Sequence, residues 1–283
     1  MSSSLSGSLL ALGAVALFST SAVLVRLSAP ISTVEVTFWR LALAGMLVLG
    51  VGVALGNLRS ALRPHPGRMS VYGLIAALHF GLYIGSLGYT SVANALAIVY
   101  TAPAFVALFS ALFLGERVSR AQLGGIGVVI VGVGVLAGYD LVASRERLLG
   151  DIMALGSAAA FGLYSVAGRR ERERFPLLLY AGLVYLAASV WLLPAVLTTF
   201  EAQRYTSRNV LAILALAVLP LALGHTMYNA ALRRISAPRA NVLSTLEVIG
   251  GSLLAWAVYG EPVSAEAALG VALTLAGVLA VIL

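Results

Sequence analysis

Apolar runs of roughly 18 to 24 residues recur from Ser8 to Leu283, each ended by a short segment holding Arg, Pro, Asn or Gly. At about 1.5 Å per residue, one such run crosses the ~30 Å hydrocarbon layer of a bilayer as a helix. An ordinary water-soluble domain is excluded, because 60% of the 283 residues are hydrophobic and 10% charged, where a soluble domain carries about 25% charged residues. A membrane β-barrel is excluded as well: the runs lack period-two alternation, and backbone in lipid must close its hydrogen bonds within each segment. The expected fold is an all-α polytopic membrane protein. About ten transmembrane helices are predicted, near residues 6–27, 34–55, 70–89, 92–114, 120–138, 150–168, 177–199, 209–231, 239–259 and 265–283. Roughly 80 residues remain for loops and tails, which leaves no separate soluble domain.

Charge sets the expected orientation. If the N-terminus is cytoplasmic, the inner loops hold Arg59, Arg63, Arg68, Arg117, Arg120, Arg169, Arg170, Arg172, Arg174, Arg233, Arg234 and Arg239, while the outer loops hold Arg26, Arg145, Arg147, Arg204 and Arg208. This positive-inside bias predicts both termini in the cytoplasm. Met1–Gly7 lacks a basic segment, so the first run reads as an uncleaved helix and not as a signal peptide. Trp39 and Trp191 are placed either as interfacial anchors or as packed interior residues.

Missing residue types exclude whole classes of chemistry. There is no Cys, hence no disulfide, thiolate metal site or cysteine nucleophile. All 18 basic residues are Arg, which removes a P-loop lysine and Schiff-base chemistry. The sequence shows no HExxH pair, no paired membrane aspartates (Asp140 and Asp151 lie at or near a loop) and no nucleophile arrangement, so neither an enzyme, a cofactor nor a metal is expected. The net charge of +7 sits in short Arg clusters between apolar runs. Its expected partner is the anionic lipid surface rather than nucleic acid.

The chain also repeats itself. Gly115-Glu116-Arg117-Val118-Ser119 recurs as Gly260-Glu261-Pro262-Val263-Ser264. At nearly the same spacing Tyr83 matches Tyr228, Leu87 matches Leu232, Ser91 matches Ser236, and Ala11-Leu12-Gly13 with Phe18 matches Ala154-Leu155-Gly156 with Phe161. The predicted units are 1–139 and 140–283, forming one membrane domain. Five helices per unit is an odd number, so the second copy must cross in the opposite sense. Arg117 and Arg120 accordingly become Pro262 and Ala265, whereas Gly88 and Tyr89 become Arg233 and Arg234. Inverted five-helix repeats point to secondary transport by alternating access.

Ten spans, two five-helix units and the Gly-Glu element after the fourth helix of each unit make the whole chain similar to the drug/metabolite transporter superfamily, EamA type. Leu17-Phe18-Ser19-Thr20 and Arg26 further resemble the YddG-type aromatic amino acid exporters. The family's acidic-Pro pair in the fourth helix is split here, Ala102-Pro103 in one copy and Glu247-Val248 in the other, and Arg40 resembles the family's arginine in the second helix. What the resemblance implies is export of amino acids or similar small metabolites through a central cavity in a bacterial inner membrane. A receptor or assembly scaffold without transport activity is the competing expectation, and the chain is expected as a monomer or homodimer.

Candidate site residues follow from polarity within the runs. Glu247 lies about 10 Å inside the ninth helix. There a carboxylate must face a polar cavity, take a proton or find a basic partner. Arg40 reads either as a partner for a substrate carboxylate or as a residue snorkelling outward beside Glu35. His79 with Tyr83, and His225 with Tyr228 and Asn229, each project polar and aromatic groups from one helical face. Tyr100, Tyr164, Asn241, Ser244 and Thr245 extend the expected lining. Pro103 and Pro220, which free the carbonyls of Val99 and Leu216, are candidate hinges. Gly124, Gly127, Gly132, Gly134, Gly270 and Gly277 read as helix-packing positions, within the monomer or in a dimer. Arg169 to Arg174 with Glu171 and Glu173 read as a solvated loop.

Overall fold

The computed structural model describes residues 3–57, 66–89, 92–136, 145–259 and 265–282, and among these the chain is helical with no strand. The first half supplies α1 (Ser3–Phe18), α2 (Ser21–Leu27), α3 (Thr33–Gly52), α4 (Pro66–Ser86), α5 (Val92–Val99), α6 (Ala102–Leu114) and α7 (Arg120–Leu136). The second supplies α8 (Arg145–Arg170), α9 (Leu177–Thr199), α10 (Ser207–Leu216), α11 (Thr226–Leu232), α12 (Ala237–Ser244), α13 (Glu247–Tyr259) and α14 (Ala265–Ile282). A π-helical segment, Ala217–His225, joins α10 to α11.

Local chemistry sets the helix ends. Ser32 caps α3 by accepting from the Glu35 amide at 3.2 Å while its hydroxyl donates to Glu35 Oε1 at 2.7 Å. Thr206 and Asn209 form a reciprocal capping box at the start of α10. At the end of α6, Gly115 takes a left-handed conformation (φ 67°), which a residue without Cβ adopts at no steric cost.

Seven helical runs are long and apolar enough to cross a membrane: Ser4–Leu27, Thr33–Gly56, Pro66–Ser86, Arg145–Arg170, Leu177–Thr199, Ser207–Leu232 and Ala237–Val258. Three shorter apolar helices, Ala102–Leu114, Arg120–Val135 and Ala268–Val281, lie at the other expected positions. The chain is a multi-pass membrane protein, and its polarity is arranged for lipid. Leu112, Leu197 and Leu211 stand exposed on the outside, while Arg40, His79, His225, Asn229 and Asn241 are buried.

Several expected continuous helices are interrupted. The first breaks at Ser19–Thr20, the fourth at Tyr100–Thr101 and the ninth at Thr245–Leu246. The latter two breaks fall at matched places: α5 ends at Val99 and α12 at Ser244, α6 begins at Ala102 and α13 at Glu247, each pair 145 residues apart. α8 runs unbroken and begins at Arg145, one turn earlier than the apolar pattern suggested, because Arg145, Glu146 and Arg147 continue the helix beyond its apolar part.

Packing in the two halves is reciprocal. α3 lies along α9, and α7 along α14. α4 packs on α8 as the π segment and α11 pack on α1, while α5 and α6 meet α8 as α12 and α13 meet α1. Close contacts exchange in the same way. Gly132 abuts Thr274 and Gly277 abuts Val129, Gly45 abuts Leu186 and Gly182 abuts Leu49, and Gly156 meets Leu82 as Gly13 meets Met227. Small residues let these backbones approach closely. The α7 expectation holds only in part, since nothing stands beside the Cα atoms of Gly124, Gly127 and Gly134. Those three face outward because they lie on the side of α7 turned away from α14. Gly260 to Ser264, Ser91, Arg59, Arg63 and Asp140 lie outside the described residues.

Candidate functional site

The helix breaks surround one cavity of about 570 Å³ including its mouth. Phe18 and Ser21 reach it from either side of the first break, Val99, Tyr100 and Ala102 from the second, and Ser244 and Glu247 from the third. Pro220 and His225 line it from the π segment. Wide π turns commonly sit where a helix carries function, since the extra residue leaves carbonyls and side chains displaced from the regular ladder. Pro220 thus lies in a nine-residue π segment, and Pro103 sits in the first turn of α6 just beyond the break at Tyr100–Thr101.

Of the residues expected from sequence, Arg40, His79, Tyr83, Tyr100, His225, Asn241, Ser244 and Glu247 share this cavity wall. Tyr164, Tyr228, Asn229 and Thr245 do not, and stand behind it. Asn229 Nδ2 donates to the Tyr164 hydroxyl at 2.6 Å, and the Tyr228 hydroxyl is 2.8 Å from Ser165 Oγ and accepts from Asn241 Nδ2 at 3.4 Å. Thr245 bonds back to the Val242 carbonyl of its own helix at 2.7 Å. Tyr164, Tyr228 and Asn229 form a buried polar layer between α8 and α11, outside the cavity wall.

Aromatic rings fill much of the wall. The His79 ring stacks on Phe161 with centroids 4.6 Å apart, and His225 packs against Phe18 at 4.4 Å and Phe80 at 4.8 Å. His79 is fixed from behind, with Nδ1 3.0 Å from Ser157 Oγ while Ser157 donates to the His79 carbonyl at 2.8 Å. Phe18, Phe80 and Phe161 carry no sequence mark that separates them from other apolar helix residues. The repeat match pointed to Phe18 and Phe161, and the Leu17–Thr20 resemblance to Phe18 again, while nothing pointed to Phe80.

Arg40 is 2% exposed, and its guanidinium carbon lies 5.0 Å from the centroid of the Phe80 ring. Its Nε and Nη1 have no hydrogen-bond partner. Pairing beside Glu35 does not occur, because Glu35 is taken by Ser32 and by the Tyr205 hydroxyl at 2.5 Å, and Tyr205 in turn accepts from Trp39 Nε1 at 3.0 Å. Burial, reinforced by the bond to Glu35, pushes Tyr205 up to about 12. Glu247 and Tyr100 line the same cavity from the third and second breaks. A charge at mid-membrane costs on the order of 2.5 to 3.5 kcal/mol on insertion scales, so both groups belong to a polar lumen.

The end of the bundle carrying Arg169–Arg174, Arg233 and Arg234, here the arginine-rich end, is sealed. Arg169 Nε bonds Glu116 Oε1 at 2.8 Å and Arg169 Nη1 bonds the Leu232 carbonyl at 2.8 Å, while Glu116 Oε2 accepts from the Ala237 amide at 3.4 Å. One ion pair therefore ties the ends of α6, α8 and α11 to the start of α12. Arg233 spans to the carbonyls of Arg172 and Phe175, both at 2.6 Å. Glu171 is 1% exposed and accepts from the Tyr72 hydroxyl at 2.7 Å. The expectation of a solvated loop at Arg169–Arg174 holds for Arg170, Glu173 and Arg174, which are exposed, but not for Glu171, buried against Tyr72, or for Arg169, paired with Glu116. Among the described residues, no group of three or more His, Asp or Glu could hold a metal ion.

Known proteins share this architecture. A solved crystal structure superposes with a TM-score of 0.84 over 98% of this chain and 97% of its own, at 24% sequence identity, which establishes a common fold. An aromatic amino acid exporter, YddG, from Ancylobacter novellus is 28% identical over 268 residues, covering 93% of this chain and 92% of that protein. A pseudopaline exporter from Pseudomonas aeruginosa is 36% identical over 132 residues, so the match spans 44% of that protein's length and 45% of this chain. A probable amino-acid metabolite efflux pump from Salmonella typhimurium is 25% identical over 218 residues, 73% of each chain. Residues 5–138 and 148–283 each match the EamA-like transporter family, one match in each half. With both halves matched, the chain belongs to the EamA-like transporter family.

Proposed function

We propose that this transporter exports amino acids, aromatic ones among them, or similar small metabolites across a bacterial inner membrane by alternating access. Its ten helices cross the bilayer as two inverted five-helix repeats, 1–139 and 140–283, with both termini in the cytoplasm. One observation carries this reading. A polar, ring-lined cavity lies between helix breaks at matched positions of the two halves, and the Glu116–Arg169 pair ties helix ends together at the arginine-rich end. The reciprocal packing of the halves supports inversion, because an odd number of spans per repeat reverses the second copy. Access from the cytoplasm requires the Glu116–Arg169 pair to part.

Counterflow of labelled phenylalanine and leucine in proteoliposomes holding the purified chain tests the proposal. Exchange above protein-free vesicles is the expected result. An imposed pH gradient separates proton antiport, which it accelerates, from facilitated diffusion, which it leaves unchanged. Absence of exchange for every amino acid and metabolite tried, in folded and inserted protein, overturns the transport reading in favour of a receptor or scaffold.

A further inference from the structure

We infer that the cavity binds its substrate as a zwitterion, with Arg40 taking a carboxylate and Glu247 taking an ammonium group. This rests on the amino acid transport reading and narrows it to substrates that carry both groups free.

The argument starts from Arg40. A buried guanidinium with two unpartnered nitrogens is a site missing its anion, since five N–H donors in a planar fork match a carboxylate in bidentate fashion. The Phe80 ring beneath it offers a cation with a π face but accepts no in-plane hydrogen bond. The acidic residue nearest in sequence, Glu35, is already engaged by Ser32 and Tyr205. Glu247 lines the same cavity, yet no ion pair joins it to Arg40 among the described residues. The lumen therefore presents a guanidinium from α3 and a carboxyl group from α13 with no direct ion pair between them. A simple anion would satisfy Arg40 and face Glu247 unfavourably, and a simple cation would do the reverse. A molecule with carboxylate and ammonium satisfies both. Its side chain then meets the rings of Phe18, Phe161, His79 and His225, which suit a flat or aliphatic group.

The test compares phenylalanine with its methyl ester, with phenethylamine and with 3-phenylpropionate. Each is assayed by counterflow against labelled phenylalanine in proteoliposomes and by thermal stabilisation of the full chain in detergent. Phenylalanine is expected to exchange and stabilise at least tenfold better than the three analogues. R40Q, checked for an unchanged size-exclusion profile, is expected to lose at least tenfold for phenylalanine but to close the gap between phenylalanine and its methyl ester. R40K, which keeps the charge without the fork, is expected to fall between. E247Q is expected to weaken phenylalanine and to improve 3-phenylpropionate, which no longer faces a like charge. If the ester or the amine exchanges as well as phenylalanine in the unaltered protein, the zwitterion site is overturned while transport stands. Stabilisation that depends on Arg40 without any flux supports the site and overturns transport, and neither binding nor flux overturns both.

Discussion

The contact of α4 with α8 and the contact of α1 with the π segment and α11 are the same interface in the two halves, yet one is regular and the other is not. α4 and α8 run unbroken, and His79 and Ser157 lock them at 3.0 Å and 2.8 Å. Their counterparts are interrupted: α1 gives way to α2 at Ser19–Thr20, and the helix from α10 to α11 widens around Pro220. Packing shows the same contrast. Gly162 of α8 sits against Phe105 and Phe109, whereas at the equivalent place Ser19 sits against Gly250. The difference teaches where conformational freedom resides. Two chemically similar interfaces hold different shapes, and under the proposed alternating access an exchange of those shapes moves the cavity's opening from one side to the other.

That comparison can be broken in several ways, the most direct being to fill the close packing of the unbroken α8 against α6. Gly162→Leu places a side chain where a Cβ already meets Phe105 at 2.9 Å, and is expected to cost about 1 to 3 kcal/mol by overpacking. It should also lower transport at least tenfold if α8 must bend there. A folded G162L variant with full counterflow would show that the regular pair stays rigid throughout the cycle.

Removing the seal should have the next largest effect. Glu116→Gln abolishes the ion pair with Arg169 and weakens the hold on the α12 amide. Because the chain has no cysteine, a single cysteine placed at Asn241 becomes a unique reporter. Its labelling from the arginine-rich side is expected to rise several-fold in E116Q. Unchanged labelling would mean that Glu116 braces the helix ends without gating the cavity.

Straightening the irregular interface gives a third test. Pro220→Ala restores an amide donor within the π segment, and is expected to reduce turnover several-fold with little change in substrate affinity. A fall in affinity with unchanged turnover would place Pro220 in the wall of the site alone.

The smallest effect is expected away from the cavity. Tyr205→Phe removes a donor to Glu35 and should lower stability by about 1 kcal/mol without altering transport. Since Tyr205 is pushed up to about 12, its contribution is fully present below pH 10, the ordinary tyrosine value, and is lost between about pH 10 and 12. Y205F should lack that part of the alkaline loss in a melting series. A shift in transport affinity instead would connect Glu35 to Arg40 after all.

Hydropathy and charge made the helices and the repeat legible, because both depend on residue type at fixed spacing. Glu247, Arg40 and the paired histidines were legible for a related reason: a charged or imidazole side chain in an apolar run needs an explanation. The helix breaks were not. Ser19–Thr20 and Thr245–Leu246 contain neither glycine nor proline, and their interruption depends on what α1 and α12 pack against. The second layer was hidden too, since nothing in Tyr164, Tyr228 or Asn229 says which side of the lumen wall a helical face will turn to. Glu116 was visible as a repeat marker, but its bond to Arg169 joins residues 53 apart and exists only once α6 and α8 meet.

The reciprocal contacts of Gly132 with Thr274 and of Gly277 with Gly125 and Val129 bring α7 and α14 backbone to backbone. Where main chains touch, there is no cushion of side chains to shear, and each rotamer change that lets packed helices slide past one another has nothing to act on. α7 and α14 consequently serve as a fixed post at the edge of the bundle. Under the proposed alternating access the remaining helices swing against it, much as a door needs one jamb that does not yield.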